Sequence, residues 1–229
     1  SKLGDFKNWN CFTGISTDSY VASVGTDGQF TGAINHGGFP LFFKEGHLHK
    51  VYGDYPADFS IQDLACRGVQ KGSSKSLAIV NEVLYYKSRM GVCAYDGSLP
   101  VEISAAMGDI AYFDAVAGSP GNKYYISMAD SARAYHLFVY DSAKRMWHKE
   151  DNLEAYLFCS CKDEMYCATR DGRILTLLGS GEKAEETVHW MTQTGPIGIY
   201  MPEAKTLVKL NIRMALELGS NVSISVQYD

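Results

Sequence analysis

The residues best equipped for chemistry in this chain are cysteines and histidines at alternating spacing. Cys159-x-Cys161, followed by Cys167, would place two thiols on one face of a strand, because side chains alternate across the pleat. A zinc site needs four donors in a closed tetrahedron, usually from paired Cys-x2-4-Cys units or a His pair. No fourth ligand accompanies these three, so packing as small hydrophobes is the expected role. His47-x-His49 sets two imidazoles on one face, and Glu45 shares that face by alternation. A metal would need all three; paired strand histidines more often line a surface or a sheet edge. His36, His136, His148 and His189 are scattered.

The stretch Gly68-Val69-Gln70-Lys71-Gly72-Ser73-Ser74-Lys75 has the look of a phosphate loop. That loop requires Lys directly after the second Gly and a helix beyond it, so that backbone amides and the helix N-terminus face the phosphate. Here a strand pattern follows, and Lys71 precedes the second Gly. Carboxylates are plentiful (Asp54, Asp58, Asp63, Asp96, Asp109, Asp114, Glu150 and Asp151 among them). Glycoside cleavage needs a facing pair roughly 5 to 10 Å apart, and nothing in the spacing selects one. Most of these acids lie in turn-like stretches, where Asp accepts local backbone hydrogen bonds. No G-x-S-x-G elbow and no EF-hand ligand pattern occurs. The sequence therefore assigns no catalytic, cofactor-binding or metal-ligating residue, and the expected activity is non-enzymatic.

The elements that would position such residues recur at a fixed interval. Aromatic-rich strands begin near Leu41, Leu84, Tyr124 and Met165, at steps of 43, 40 and 41 residues. Each follows an apolar run and a short turn, and each leads through another turn into a further strand. Asp171-Gly172 between two strands is a strong hairpin signal. A repeat of about forty residues made only of short strands points to radially arranged meander blades. The fold expected is all-β: a β-propeller-like ring of four to five antiparallel meander blades, with the ring open to being incomplete. An ordinary antiparallel sandwich is the alternative.

Residues 1–18 read as irregular, and Ser19–Val24 as a short strand. A last strand is expected at Thr187–Met191, after a loop at residues 182–186. Beyond residue 203 the pattern changes: apolar and polar residues alternate from Leu207 to Leu218 and from Val222 to Tyr228, around a Gly219-Ser220-Asn221 turn. This reads as a β-ribbon with one wet face. The expected division is a repeat domain over 1–203 and a ribbon over 204–229, which either closes the ring or begins a second domain. An opening without Met and a close directly after a strand fit a segment of a longer polypeptide.

The bulk numbers narrow the classes. At 229 residues the chain can bury a core without disulfides or metal. Its net charge of −5 and the lack of a basic cluster oppose nucleic-acid binding. Six irregularly spaced cysteines fit reduced thiols and synthesis in a cytoplasm rather than a disulfide framework. No apolar run approaches the roughly eighteen residues of a membrane span.

Several long phrases complete the reading. Gly4–Asn10, Gly38–Lys44, Cys66–Lys75, Val92–Pro100 and His136–Asp141 resemble minor structural proteins encoded by tailed phages and prophages of Firmicutes-type bacteria, and the resemblance spans most of the chain. It implies a virion location after synthesis in the bacterial host cytoplasm. It also implies a role at the tail or head–tail connection, with other virion proteins as partners in an oligomeric assembly. Tail-associated proteins of such phages use β-propeller domains, which matches the repeat at the level of fold. Rim aromatics (Phe42, Tyr52, Tyr55, Tyr86, Tyr95, Trp147 and Trp190) would then be available for subunit contacts, or would pack between blades. A carbohydrate-binding or glycan-processing propeller is the alternative function.

Overall fold

Short turns every few residues force each apolar run back antiparallel to the last, and the result is a series of meanders. The computed structural model describes residues 1–162, 164–177, 191–192, 206, 208–216 and 218–227. The chain divides into two compact units, Ser1–Glu186 and Thr187–Asp229.

Within the first unit, four antiparallel sheets follow one another in chain order, each with its strands in simple succession. The first holds β1 (Gly32–His36), β2 (Phe39–Phe43), β3 (His47–Tyr52) and β4 (Ser60–Ala65). The second holds β5 (Ala78–Val80), β6 (Val83–Lys87), β7 (Val92–Tyr95) and β8 (Val101–Glu102). β9 (Phe113–Gly118), β10 (Lys123–Ala129), β11 (Tyr135–Asp141) and β12 (Met146–Asp151) form the third. The fourth comprises β13 (Ala155–Cys161), β14 (Glu164–Thr169) and β15 (Ile174–Thr176). No α-helix occurs among the described residues; three short 3-10 turns punctuate the connections.

Two of the hairpins are as tight as a hairpin can be. His36 pairs with Phe39 across Gly37-Gly38, and Val80 pairs with Val83 across Asn81-Glu82. All four central residues have positive φ, 59° and 85° in the first and 48° and 67° in the second. That twist matches the right-handed twist of the flanking strands. Glycine adopts it freely in the first turn; Asn81 and Glu82 adopt it without that freedom.

Leu41, Leu84, Tyr124 and Met165, the residues that mark the repeat, each lie on the second strand of their sheet and are at most 1% exposed. Alternation along these strands feeds two cores at once. Leu84 and Tyr86 join Leu41, Phe43 and Leu48 between the first and second sheets. Tyr85, between them, points the other way and meets Tyr124, Ile126 and Tyr140 between the second and third. Tyr125 in turn joins Leu137, Phe158 and Met165 between the third and fourth. Each sheet therefore packs face to face on the next, and the middle two are apolar on both faces. Burying one such large apolar side chain contributes about 1.5–3 kcal/mol. The aromatic rings add offset contacts, with Tyr85 stacked 5.3 Å from Tyr124 and Tyr140 4.9 Å from Trp147.

The structure is all-β, with four antiparallel meander sheets. One expected strand is not formed. Ser19–Val24 forms no strand: the Ser19 amide bonds back to the Cys11 carbonyl at 2.9 Å, which ties the start of the segment into a local N-terminal coil. The ribbon expected at 204–229 lies partly outside the described residues; those described, 206, 208–216 and 218–227, are exposed. The 203/204 boundary, the loop at 182–186 and Thr187–Trp190 lie outside the described residues.

Candidate functional site

The connector between the first and second sheets contains the phosphate-loop look-alike, and its residues serve packing. The Gly68 amide bonds to the Glu45 carbonyl at 3.0 Å. A Cβ added at Gly68 would lie 1.8 Å from the Lys44 carbonyl oxygen, so no side chain fits there. Ser73, fully buried, accepts from the Ala115 amide on β9 at 3.1 Å. The Ser76 carbonyl accepts the Tyr124 hydroxyl at 2.7 Å, and the Ser76 hydroxyl accepts the Lys87 amide at 2.9 Å. Lys75 sends its ammonium to the Tyr156 carbonyl at 3.0 Å and over that ring at 3.3 Å. One connector thus ties elements of all four sheets together. Its Lys75 ammonium and the oxygens of Ser73 and Ser76 are committed to protein partners.

The histidine pair does share a face, and its carboxylate is Asp63 rather than Glu45. Glu45 sits in the β2–β3 turn, where its carboxylate accepts the Lys71 amide at 3.1 Å. The β3–β4 register instead sets Asp63 opposite His49. Asp63 Oδ1 lies 3.0 Å from His47 Nδ1 and 3.4 Å from His49 Nδ1. The longer approach lacks hydrogen-bond geometry and leaves His49 Nδ1 buried without a partner. His49 is 2% exposed; its Nε2 lies 3.0 Å from the Thr26 hydroxyl. Burial pushes the His49 imidazole below its usual pKa, and the nearby Lys44 and His47 push the same way, against the opposing pull of Asp63. No group of three His, Cys, Asp or Glu among the described residues has the arrangement to hold a metal ion.

The cysteines separate by side of the sheet. Cys159 and Cys161 are exposed on β13, whereas Cys167 is buried in the core between the third and fourth sheets. Burial raises Cys167 to about 11 and Cys66 to about 11. Such thiols are weak nucleophiles at neutral pH. All six are unpaired in the structure.

A buried lysine went unnoticed in the sequence. Lys87, at the end of β6, is 2% exposed, and burial lowers its ammonium to about 8 against the stabilising pull of Cys93 and Glu102. Its Nζ donates to the Ser88 carbonyl. It lines a small cleft with Gly91, Ser104, Met107, Tyr112 and Met128. The only advance sign was position: Lys44 and Lys87 stand one repeat apart, each directly after or at the end of a second strand.

The rim aromatics divide. Tyr86 and Tyr95 are buried between the first two sheets. Trp147 is half-buried and donates its indole N–H to the Ile103 carbonyl at 2.7 Å. Phe42 and Tyr55 are exposed. Tyr52 is half-exposed beside Phe39, ring centroids 5.0 Å apart, with Lys50 Nζ 4.1 Å from the Phe39 ring and Gln62 accepting the Tyr52 hydroxyl at 2.9 Å. Trp190 lies outside the described residues. The N-terminal coil exposes Leu3, Phe6, Trp9, Phe12, Ile15 and Val21. No protein-family model matches the chain. No curated protein matches it.

Proposed function

We propose that the chain is a non-enzymatic structural protein of a phage virion, acting through protein–protein contacts at the tail or head–tail connection. In this reading its four meander sheets belong to a propeller-like ring, and its partners are other virion proteins in an oligomeric assembly. The observation that carries the proposal is the set of long phrases, from Gly4–Asn10 to His136–Asp141, that resemble tailed-phage structural proteins. A surface feature supports it. Large apolar side chains from Leu3 to Val21 stand exposed on one short coil, and exposed apolar surface of this kind marks interaction sites. Mass spectrometry of gradient-purified particles tests it: the protein at a stoichiometric copy number is the expected result. Presence in the lysate with consistent absence from particles rejects it.

A second reading, a carbohydrate-binding propeller, is favoured by the Phe39–Tyr52 pair with Lys50 and Gln62 beside it. Aromatic rings flanked by hydrogen-bonding side chains suit a sugar's mixed surface. A glycan array separates the two readings; binding that is lost in Tyr52→Ala supports this one.

A further inference from the structure

We propose that residues 26–31 form an acid-released strap across the outer face of the first sheet, held while His49 is neutral and let go when His49 takes up a proton. The face turned away from the second sheet carries Phe42 and His49, while Leu41, Phe43 and Leu48 point inward. The strap covers His49 from outside. Its Thr26 hydroxyl meets His49 Nε2, its Thr26 carbonyl accepts the Lys44 ammonium, and its Phe30 ring stands edge-on to His49 at 5.8 Å and to Phe42 at 6.0 Å. The Lys44 ammonium also lies 5.2 Å from the Phe30 ring. Beyond that ring, the Thr31 amide closes onto the Phe43 carbonyl at 2.7 Å.

The charges around His49 explain why its protonation opposes this docking. His47 faces it from the same strand, with the rings stacked 6.1 Å apart. Asp63 faces it from β4, but that oxygen is already engaged by His47. Lys44 brings a fixed positive charge from the end of β2. The strap sets a hydroxyl and an apolar ring against it, and the strap's one titratable side chain, Asp27, is exposed to solvent. An imidazolium here would carry charge at a site 2% exposed, with one Nδ1–H lacking a well-aligned acceptor. Burying such a charge is costly unless it is paired or hydrated. Water reaches it when the strap lifts.

The test is hydrogen exchange of the intact chain at pH 7 and pH 5, corrected for intrinsic rates, and read at residues 26–31 with the β10 amides as control. The opening constant of the strap should rise severalfold as pH falls from 7 to 5 through the ordinary imidazole value of 6.5, while β10 stays protected. His49→Gln, which keeps a hydrogen bond to Thr26 but cannot titrate, should flatten the dependence; His47→Gln should keep it. Unchanged wild-type exchange between the two pH values overturns the proposal. So does an equal rise in His49→Gln, or loss of the rise in His47→Gln. If His49→Gln fails to fold, NMR titration of the wild-type His49 ring replaces it. A ring midpoint that differs from the midpoint of Thr31 amide opening is equally fatal.

Discussion

Replacing Lys87 with Met should make the protein more stable, although it removes a hydrogen bond. The side chain is 2% exposed and its ammonium is pulled from 10.5 to about 8, chiefly by burial. At about 1.36 kcal/mol per pKa unit, holding the charged form at pH 7 costs the folded state on the order of 3 kcal/mol. Met keeps the length of the stem and its packing, and loses the Lys87–Ser88 bond, whose net worth is about 1 kcal/mol. The net gain is about 2 kcal/mol, or roughly 4–8 °C in melting temperature for a chain of this size. The pH dependence gives the sharper check. Because the folded pKa lies below the unfolded one, the unfolded chain binds the extra proton between pH 8 and 10.5, so lysine's contribution rises across that window. It is complete above 10.5 and lost as pH falls through 8. The buried tyrosines, with hydroxyls pushed up by burial, act in the opposite sense above pH 10. They cancel in the difference between wild type and variant. Paired urea titrations at pH 7, 8.5 and 10 measure that difference. A variant less stable than wild type at pH 7, or a gap that fails to narrow as pH rises, would refute the reasoning.

Other perturbations probe other parts of the fold. Gly68→Ala should destabilise by about 3 kcal/mol, since its methyl meets a backbone carbonyl that has nowhere to go; chemical denaturation reads this. Tyr124→Phe leaves the buried Ser76 carbonyl without its hydroxyl donor and should cost about 1–3 kcal/mol by the same assay. Asp18 is held at about 2, because the Thr13 hydroxyl, the Gly14 and Ile15 amides and the Cys11 thiol outweigh the upward push of burial. Its contribution is therefore intact above pH 3.8 and lost as pH falls through 2. Asp18→Asn should abolish that acid step in the exchange protection of residues 13–15. With a thiol reagent under native conditions, Cys159 and Cys161 should react at once, and Cys93 and Cys167 only after unfolding; mass mapping of labelled peptides shows the order.

The repeat was legible because it rests on local physics. Short turns and period-two alternation around Leu41, Leu84, Tyr124 and Met165 need no knowledge of distant contacts. What stayed hidden depends on register and on neighbouring sheets. Glu45 looked like the third member of the histidine face because alternation was extended through a residue that is in fact in a turn. Asp63 takes that place because the β3–β4 register sets it there, and no pattern near His49 announces it. Tyr86 and Tyr95 read as rim aromatics for a similar reason: with two apolar faces per strand, sequence does not say which aromatic is covered. Ser19–Val24 has strand-like composition, but its Ser19 amide is taken by Cys11, eight residues back in a coil organised by Asp18, and that carboxylate's role becomes visible only once the turn has formed.

The Gly68–Ser76 connector has a consequence for how the protein can be cut. In simple repeat arrays each unit answers only to its immediate neighbours, so units can be deleted from an end with proportionate loss. Here the linker that launches the second sheet completes its hydrogen bonds on strands laid down some forty residues later, and its lysine reaches the fourth sheet. A fragment ending before β9 would leave the buried Ser73 hydroxyl without its amide donor and the Ser76 carbonyl without its hydroxyl donor. Trimming whole sheets from the C-terminal side should therefore loosen the ones that remain, and the four are expected to melt as a single body rather than peel away in turn.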